Sequence, residues 1–187
     1  MRVEELHTPL HAVDVAELAQ HHHDEFGGSR EFSRDAVSRA CFNCILDRQR
    51  EQVNCWVVYD DTGVPVGYFA GTIHTSFYSD RLYAVQEMWY VLPRVRGTRA
   101  AIELLVQFER WANNHGVERI YAQVEHDADD QLVERIFKLM NKLGYKKQGY
   151  IAVKVTNNKP NTKHEDTSND RSTHRGVGAV KGQTAQV

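Results

Sequence analysis

The chain has 187 residues, 41% of them hydrophobic, which is enough for one substantial core and gives no reason to expect two. Its 23 Lys and Arg against 25 Asp and Glu leave a net charge of -2, without the basic field of nucleic-acid binders, so nucleic acid is not an expected partner. No apolar run approaches a membrane span, Met1 to Glu5 has no signal-peptide core, and Cys41, Cys44 and Cys55 leave one thiol over in any disulfide scheme, so a soluble cytoplasmic protein with free thiols and no membrane partner is expected.

In chain order, a short strand near Val3 to Leu6 precedes a helical stretch, His11 to Phe26, in which Val15, Leu18 and Phe26 roughly follow a 3.6 period. Gly27 and Gly28 stop it. A second helix starts behind Ser33 as N-cap and turns Val37, Cys41, Cys44, Ile45 and Leu46 inward. Val53 to Tyr59 and Val66 to Ile73 are rich in β-branched and aromatic residues and flank Asp60-Asp61-Thr62-Gly63, which predicts a hairpin. Leu82 to Val91 supplies a third strand, and Pro93, lacking an amide donor, ends its pairing.

Past Gly97 the period switches to 3.6. Ala100, Ala101, Leu104, Leu105, Phe108, Trp111 and Ala112 then share one helix face. Gly116 stops that helix and Ile120 to Val124 reads as a buried strand. Asp129 or Asp130 caps a further helix with Leu132, Ile136, Leu139 and Leu143 inward, and Gly144 ends it. A last strand is expected over about Gln148 to Val155. The fold class is therefore α+β, one domain over residues 1–155 with a strand-helix-strand crossover of right hand. Thr156 to Val187 carries no aromatic residue and no Leu, Ile or Met, so it cannot bury enough surface to offset its ordering entropy. Residues 156–187 are expected to be disordered or to order on a protein partner.

The stretch richest in chemistry runs from Met88 to Ala101. A strand, a tight basic turn at Arg94-Val95-Arg96-Gly97-Thr98-Arg99 and a helix opening at Ala100-Ala101 together make an anion site. Unpaired amides at the helix start converge on a phosphate, and the helix dipole adds partial positive charge. Arg94, Arg96 and Arg99 increase that field and suit a pyrophosphate or ribose phosphate. Arginines of a turn standing in solvent are the plain alternative.

These residues resemble the coenzyme A-binding motif of the GNAT N-acetyltransferase superfamily, V-x-P-x-x-R-G followed by Q/R-x-x-G-x-G/A. Val91, Pro93, Arg96, Gly97 and Ala101 fit, and Arg99 stands where the motif has its middle glycine. Leu139-Met140-Asn141-Lys142-Leu143-Gly144-Tyr145 is similar to the family's second signature, L-Y-x-K-L-G-F. The flavour is that of phage-encoded GNAT-like proteins. The resemblance implies a central, mostly antiparallel sheet of 6–7 strands, splayed between the fourth and fifth, with about four helices around it. It implies acetyl-CoA as cosubstrate and no metal, with the backbone at Trp89 and Val91 pairing with the pantetheine arm. Gly97, Thr98, Ala100 and Ala101 would stand beside the three arginines at the phosphates.

The implied activity is transfer of an acetyl group from acetyl-CoA to a small-molecule or protein amine by direct attack. Glu87, four residues before Val91, stands where the family often places a carboxylate base, and strand parity groups it with Trp89 and Val91. A surface carboxylate is the alternative for it. Glu125 and His126, at the end of the fifth strand, are secondary catalytic candidates. Met140 occupies the place of the family tyrosine that protonates the leaving thiolate, and Val133 that of a coenzyme A-contacting Asn. Tyr145 and Tyr150 are the neighbouring tyrosines. These departures keep open a non-catalytic GNAT-fold binding or assembly protein, such as a phage virion component.

Two further signals are discounted. Adjacent helical residues point about 100° apart, so His21-His22-His23 cannot face one ion together. Cys41 and Cys44 at i and i+3 of an apolar face are read as packing.

Overall fold

The computed structural model describes residues 1–26, 31–46, 52–124 and 130–148. Four strands and two helices come before the basic turn. They are β1 (Arg2–Glu5), α1 (Pro9–Phe26), α2 (Arg34–Leu46), β2 (Val53–Tyr59), β3 (Pro65–Thr75) and β4 (Leu82–Val91). After a 3-10 turn at Pro93–Val95 come α3 (Ala100–Asn114), β5 (Arg119–Tyr121) and α4 (Asp130–Lys142). These elements belong to a unit spanning Met1–Lys147. The strand expected over Gln148 to Val155 and the tail from Thr156 fall outside the described residues, apart from Gln148 itself.

Among the described residues the sheet has five strands in sequential order, β1 to β5. The first three pairings are antiparallel, as short connections demand, and β4 pairs with β5 in parallel across the α3 crossover. That last pairing covers Tyr83↔Arg119, Ala84↔Ile120 and Val85↔Tyr121 and then stops, while β4 runs on for six more residues. The fifth strand is thus shorter than Ile120 to Val124, because Ala122 to Val124 leave the ladder.

Each sheet face has its own core, as the alternation along β2 requires. Trp56 and Val58 face α3 with Phe69, Ile73 and Ala84, and α3 answers with Leu104, Leu105 and Phe108, all at 0% exposure. Burying each of those three side chains is worth about 2 kcal/mol. Gly71 makes the contact close, since a Cβ there would clash with the edge of the Phe108 ring. Cys55, Val57 and Tyr59 point the other way and meet Leu6, Val15, Leu18 and Cys41 of the α1 and α2 layer. Burial pushes the Cys41 thiol up to about 12, the behaviour of a packing cysteine.

The caps follow the sequence. Thr8 Oγ1 accepts from the His11 amide at 3.3 Å, so α1 begins two residues earlier than expected. Ser33 Oγ accepts from the Ala36 amide at 3.2 Å, as a Ser N-cap does. Two expected core residues are instead outside: Leu46 is 80% exposed at the last position of α2, and Leu143 lies one residue past the end of α4. Met140 takes the buried place on α4, at 3% exposure. Among the described residues, no helix is long and apolar enough to cross a membrane.

Candidate active-site cleft

Where β4 continues without β5, a cleft of about 410 Å³ opens. Gln86 to Val91 form one wall, Gln123 and Val124 the other, and Leu132, Arg135, Ile136 and Leu139 of α4 close it. His22 and Phe26 reach it from α1, and Arg96, Gly97 and Ala101 from the basic turn. At the fork the Gln86 side-chain amide donates to the Gln123 carbonyl at 3.0 Å, taking over where the backbone ladder ends. The α1 contribution had no sequence signal beyond periodicity. His22 prolongs the buried row His11, Val15 and Leu18, and its ring stacks on Tyr90 at 4.8 Å.

Of the nine residues expected at the cofactor, Trp89, Val91, Arg96, Gly97 and Ala101 line the cleft. Arg94 points elsewhere and donates to Asp60 Oδ2 at 3.3 Å, across the β2–β3 turn. Ala100, the first residue of α3, is fully buried, and its amide donates to Thr98 Oγ1 at 3.3 Å, so the threonine caps one helix-start amide. The Ala101 and Ile102 amides have no place in the helix ladder, whose first bond is Glu103 to Arg99 at 2.9 Å. Gly97 holds φ +85, a left-handed conformation open to glycine, with empty space on the side a Cβ would take. Arg99 stands exposed at the α3 N-cap and does not line the cleft.

Arg96 is the least anticipated. Its Nη1 and Nη2 donate to Glu25 Oε1 and Oε2, each at 2.6 Å, and its Nε donates to the Val91 carbonyl at 3.2 Å. The guanidinium also lies over the Phe26 and Tyr90 rings, at 5.6 and 5.7 Å from their centroids. It therefore fastens the end of α1 to the turn, in a fork-on-fork geometry that Lys could not copy. Partial burial works to raise the Glu25 carboxyl, but the hydrogen bonds and charge of Arg96, helped by the Tyr90 hydroxyl, hold it below its ordinary value. Tyr90, part-buried and donating to Glu25 at 3.1 Å, is pushed up to about 12.

Glu87 lines the cleft, but not on the face that parity assigned. Gly71 pairs with Gln86 and Ala70 with Met88, so Glu87 is an extra residue in β4, a bulge. Beyond it the alternation inverts: Trp89 still meets Phe69 on the α3 side, while Glu87 accepts a hydrogen bond of 2.6 Å from Thr72 on the opposite side. The cleft consequently touches both faces, with Gly97 and Ala101 on the α3 side and Glu87 towards the α1 side. Trp89 Nε1 and Gln86 Oε1 are buried beside it without a hydrogen-bond partner among the described residues.

Glu125, His126 and Tyr150 lie outside the described residues. Tyr145 packs against the α3 core rather than lining the cleft, and burial, with the Glu109 carboxylate nearby, drives its hydroxyl well above the usual tyrosine range. Among the described residues, no group of three or more His, Cys, Asp or Glu is placed to hold a metal ion.

The model of the acetyltransferase (GNAT) family matches residues 15–145. Among solved structures, an aminoglycoside N-acetyltransferase, AAC(6')-Iy, in complex with a CoA-linked acetylneamine bisubstrate analogue is 15% identical, with a TM-score of 0.64 over 83% of this chain and 97% of that one. A ribosomal-protein-alanine N-acetyltransferase from Brucella melitensis biovar Abortus 2308 is also 15% identical, at a TM-score of 0.60 over 83% and 100%. An aminoglycoside acetyltransferase from an uncultured soil sample, in complex with sisomicin, is 13% identical, with a TM-score of 0.63 over 83% and 95%. At such identities the likeness is one of fold. No curated protein matches the chain.

Proposed function

The chain belongs to the acetyltransferase (GNAT) family, and on that premise we propose that it transfers the acetyl group of acetyl-CoA directly to an amine, with Glu87 as the base. The observation that carries this reading is the cleft itself, with unpaired helix-start amides at one end and a carboxylate on the far face of the same strand. Gly97 and the Ala101 and Ile102 amides would hold the diphosphate, and the open edge of β4 at Trp89 and Val91 would pair with the pantetheine amides. The room beside Gly97 and the partnerless Trp89 Nε1 and Gln86 Oε1 fit an amide-bearing, phosphorylated ligand. Bound there, acetyl-CoA supplies an acyl thioester whose carbonyl carbon is open to an amine.

The chain's own part is orientation and proton removal. An ammonium group has no lone pair, so Glu87 must take a proton before the nitrogen attacks. Arg96, held by Glu25 in a neutral pair, braces the turn that carries the phosphate-end amides. Met140 cannot protonate a leaving thiolate and Tyr145 does not line the cleft, so neither of these two residues serves as the leaving-group acid. Alignment of amine and thioester then supplies most of the acceleration. The family's aminoglycoside- and protein-acetylating neighbours support an amine acceptor, small or on a protein.

Calorimetry with acetyl-CoA followed by a transfer assay tests the reading. Saturable binding with transfer that Glu87→Gln removes is expected, and protein that binds no acetyl-CoA overturns it. The buried Met140 favours one other reading, a non-catalytic binding or assembly protein, which binding without any transfer would establish. The phage and virion association gains no support from the family match or the solved structures.

A further inference from the structure

We propose that Thr72 and His74 form a hydrogen-bond chain that fixes the Glu87 carboxylate for proton removal, an inference that rests on the acetyl-transfer reading above. Neither residue belongs to a motif. They stand two apart on β3, hence on one face, and it is the face turned away from Phe69, Gly71 and Ile73. Glu87 keeps the parity of Tyr83 and Val85, the partners of His74 and Thr72, and so stays on that face, while the bulge puts Trp89 and Val91 on the α3 side.

Thr72 Oγ1 donates to Glu87 Oε1 at 2.6 Å and lies 2.8 Å from His74 Nε2. A threonine hydroxyl has one proton. With that proton committed to the carboxylate, the oxygen has only lone pairs left for the ring, so Nε2 carries a hydrogen and donates. The direction along the chain is then single: His74 to Thr72 to Glu87. Each member is held in turn. His74 lies flat against its cross-strand partner Tyr83, at 5.4 Å and 29°, and Tyr83 meets the Tyr121 ring edge-on at 5.7 Å. Thr72 is β-branched and stiff at χ1. The result is a carboxylate with Oε1 occupied and Oε2 left for the amine, on a side chain that is otherwise exposed and free to sample rotamers.

The logic is that of a base oriented by a second group, which a third group orients. Because no member needs to change charge, the chain acts on the geometry of the base, and its loss slows the chemical step without weakening substrate binding. Thr72 and His74 are positioning residues.

Full-length protein assayed with acetyl-CoA and sisomicin as the probe acceptor tests this. Thr72→Val, which keeps the shape and removes the hydroxyl, should lower kcat about tenfold, with KM for both substrates within about twofold. Thr72→Ser should stay near the starting rate. His74→Phe keeps a ring against Tyr83 but cannot donate and should lower kcat several-fold, whereas His74→Gln, whose Nε2 amide donates from a similar place, should restore it. Wild-type kcat in both Thr72→Val and His74→Phe, with Glu87→Gln inactive, overturns the chain and leaves the base. Wild-type kcat in Glu87→Gln overturns the base itself. A readout free of turnover is the 15N signal of the His74 imidazole. It should move in Thr72→Val and in Glu87→Gln, and a signal unmoved in both overturns the chain whatever the activity.

Discussion

The two ends of the cleft are built by different rules. At the phosphate end everything local is local in sequence: Gly97, Ala101 and the amides between them lie within six residues, and the strand-turn-helix order alone places them. At the acceptor end Glu87, Thr72, His74 and His22 come from β4, β3 and α1, and a one-residue irregularity in strand register separates the carboxylate's face from that of Trp89 and Val91. A site made by a turn can be read from a string of letters. A site made by register cannot, because nothing in Leu82 to Val91 marks where alternation breaks.

The sharpest separation of the two ends comes from Glu87→Gln, expected to lower kcat at least about 100-fold while calorimetry shows acetyl-CoA binding unchanged. Comparable losses of binding and turnover would mean that the ends are not independent. The converse change, Gly97→Val, puts a β-branched side chain at φ +85 beside the phosphate end and should weaken acetyl-CoA binding about tenfold or more. Its far-UV circular dichroism should stay that of the parent.

Gly71→Ala sits between the ends, next to the bulge and under Phe108, and should destabilise by about 2 kcal/mol in urea unfolding. Unchanged stability would show that the ring moves aside freely. The smallest effect belongs to Glu25→Gln, about 1 kcal/mol at neutral pH for a part-exposed pair. The folded-state pKa of Glu25 lies below its ordinary 4.5, so the contribution is complete above that value and fades as pH falls through the folded pKa. Wild-type and variant unfolding curves should therefore differ at pH 7 and converge in acid. A difference that persists in strong acid would assign the contact to packing.

Much of the fold was legible because period and punctuation agreed. Val53 to Tyr59 and Leu82 to Val91 are strands with the expected bounds, Ser33 caps α2, and the apolar stripe from Ala100 to Ala112 is the one that α3 buries. The errors sit where tertiary contact overrides local pattern. Leu46 and Leu143 are apolar but lie at or just past helix ends and are exposed among the described residues, and Met140, for which periodicity assigned no inward place, is the buried residue of α4. In the cleft, the turn announced Arg96 as a phosphate ligand, but Glu25 stands 71 positions away and gave no sign that it would claim the guanidinium. The pairing of a surface arginine is settled by whichever acid the fold delivers, and periodicity carries no record of it.

Adjacent parallel strands tend to go on adding rungs, since each extra pair satisfies two otherwise wet backbone groups. Gln86 follows the last paired residue of β4, Val85, and its amide reaches the Gln123 carbonyl as a substitute rung longer than any the backbone can make. It works as a spacer driven into a zip: tearing the seam back towards β5 means losing that bond, and the opening starts at the reach of one glutamine.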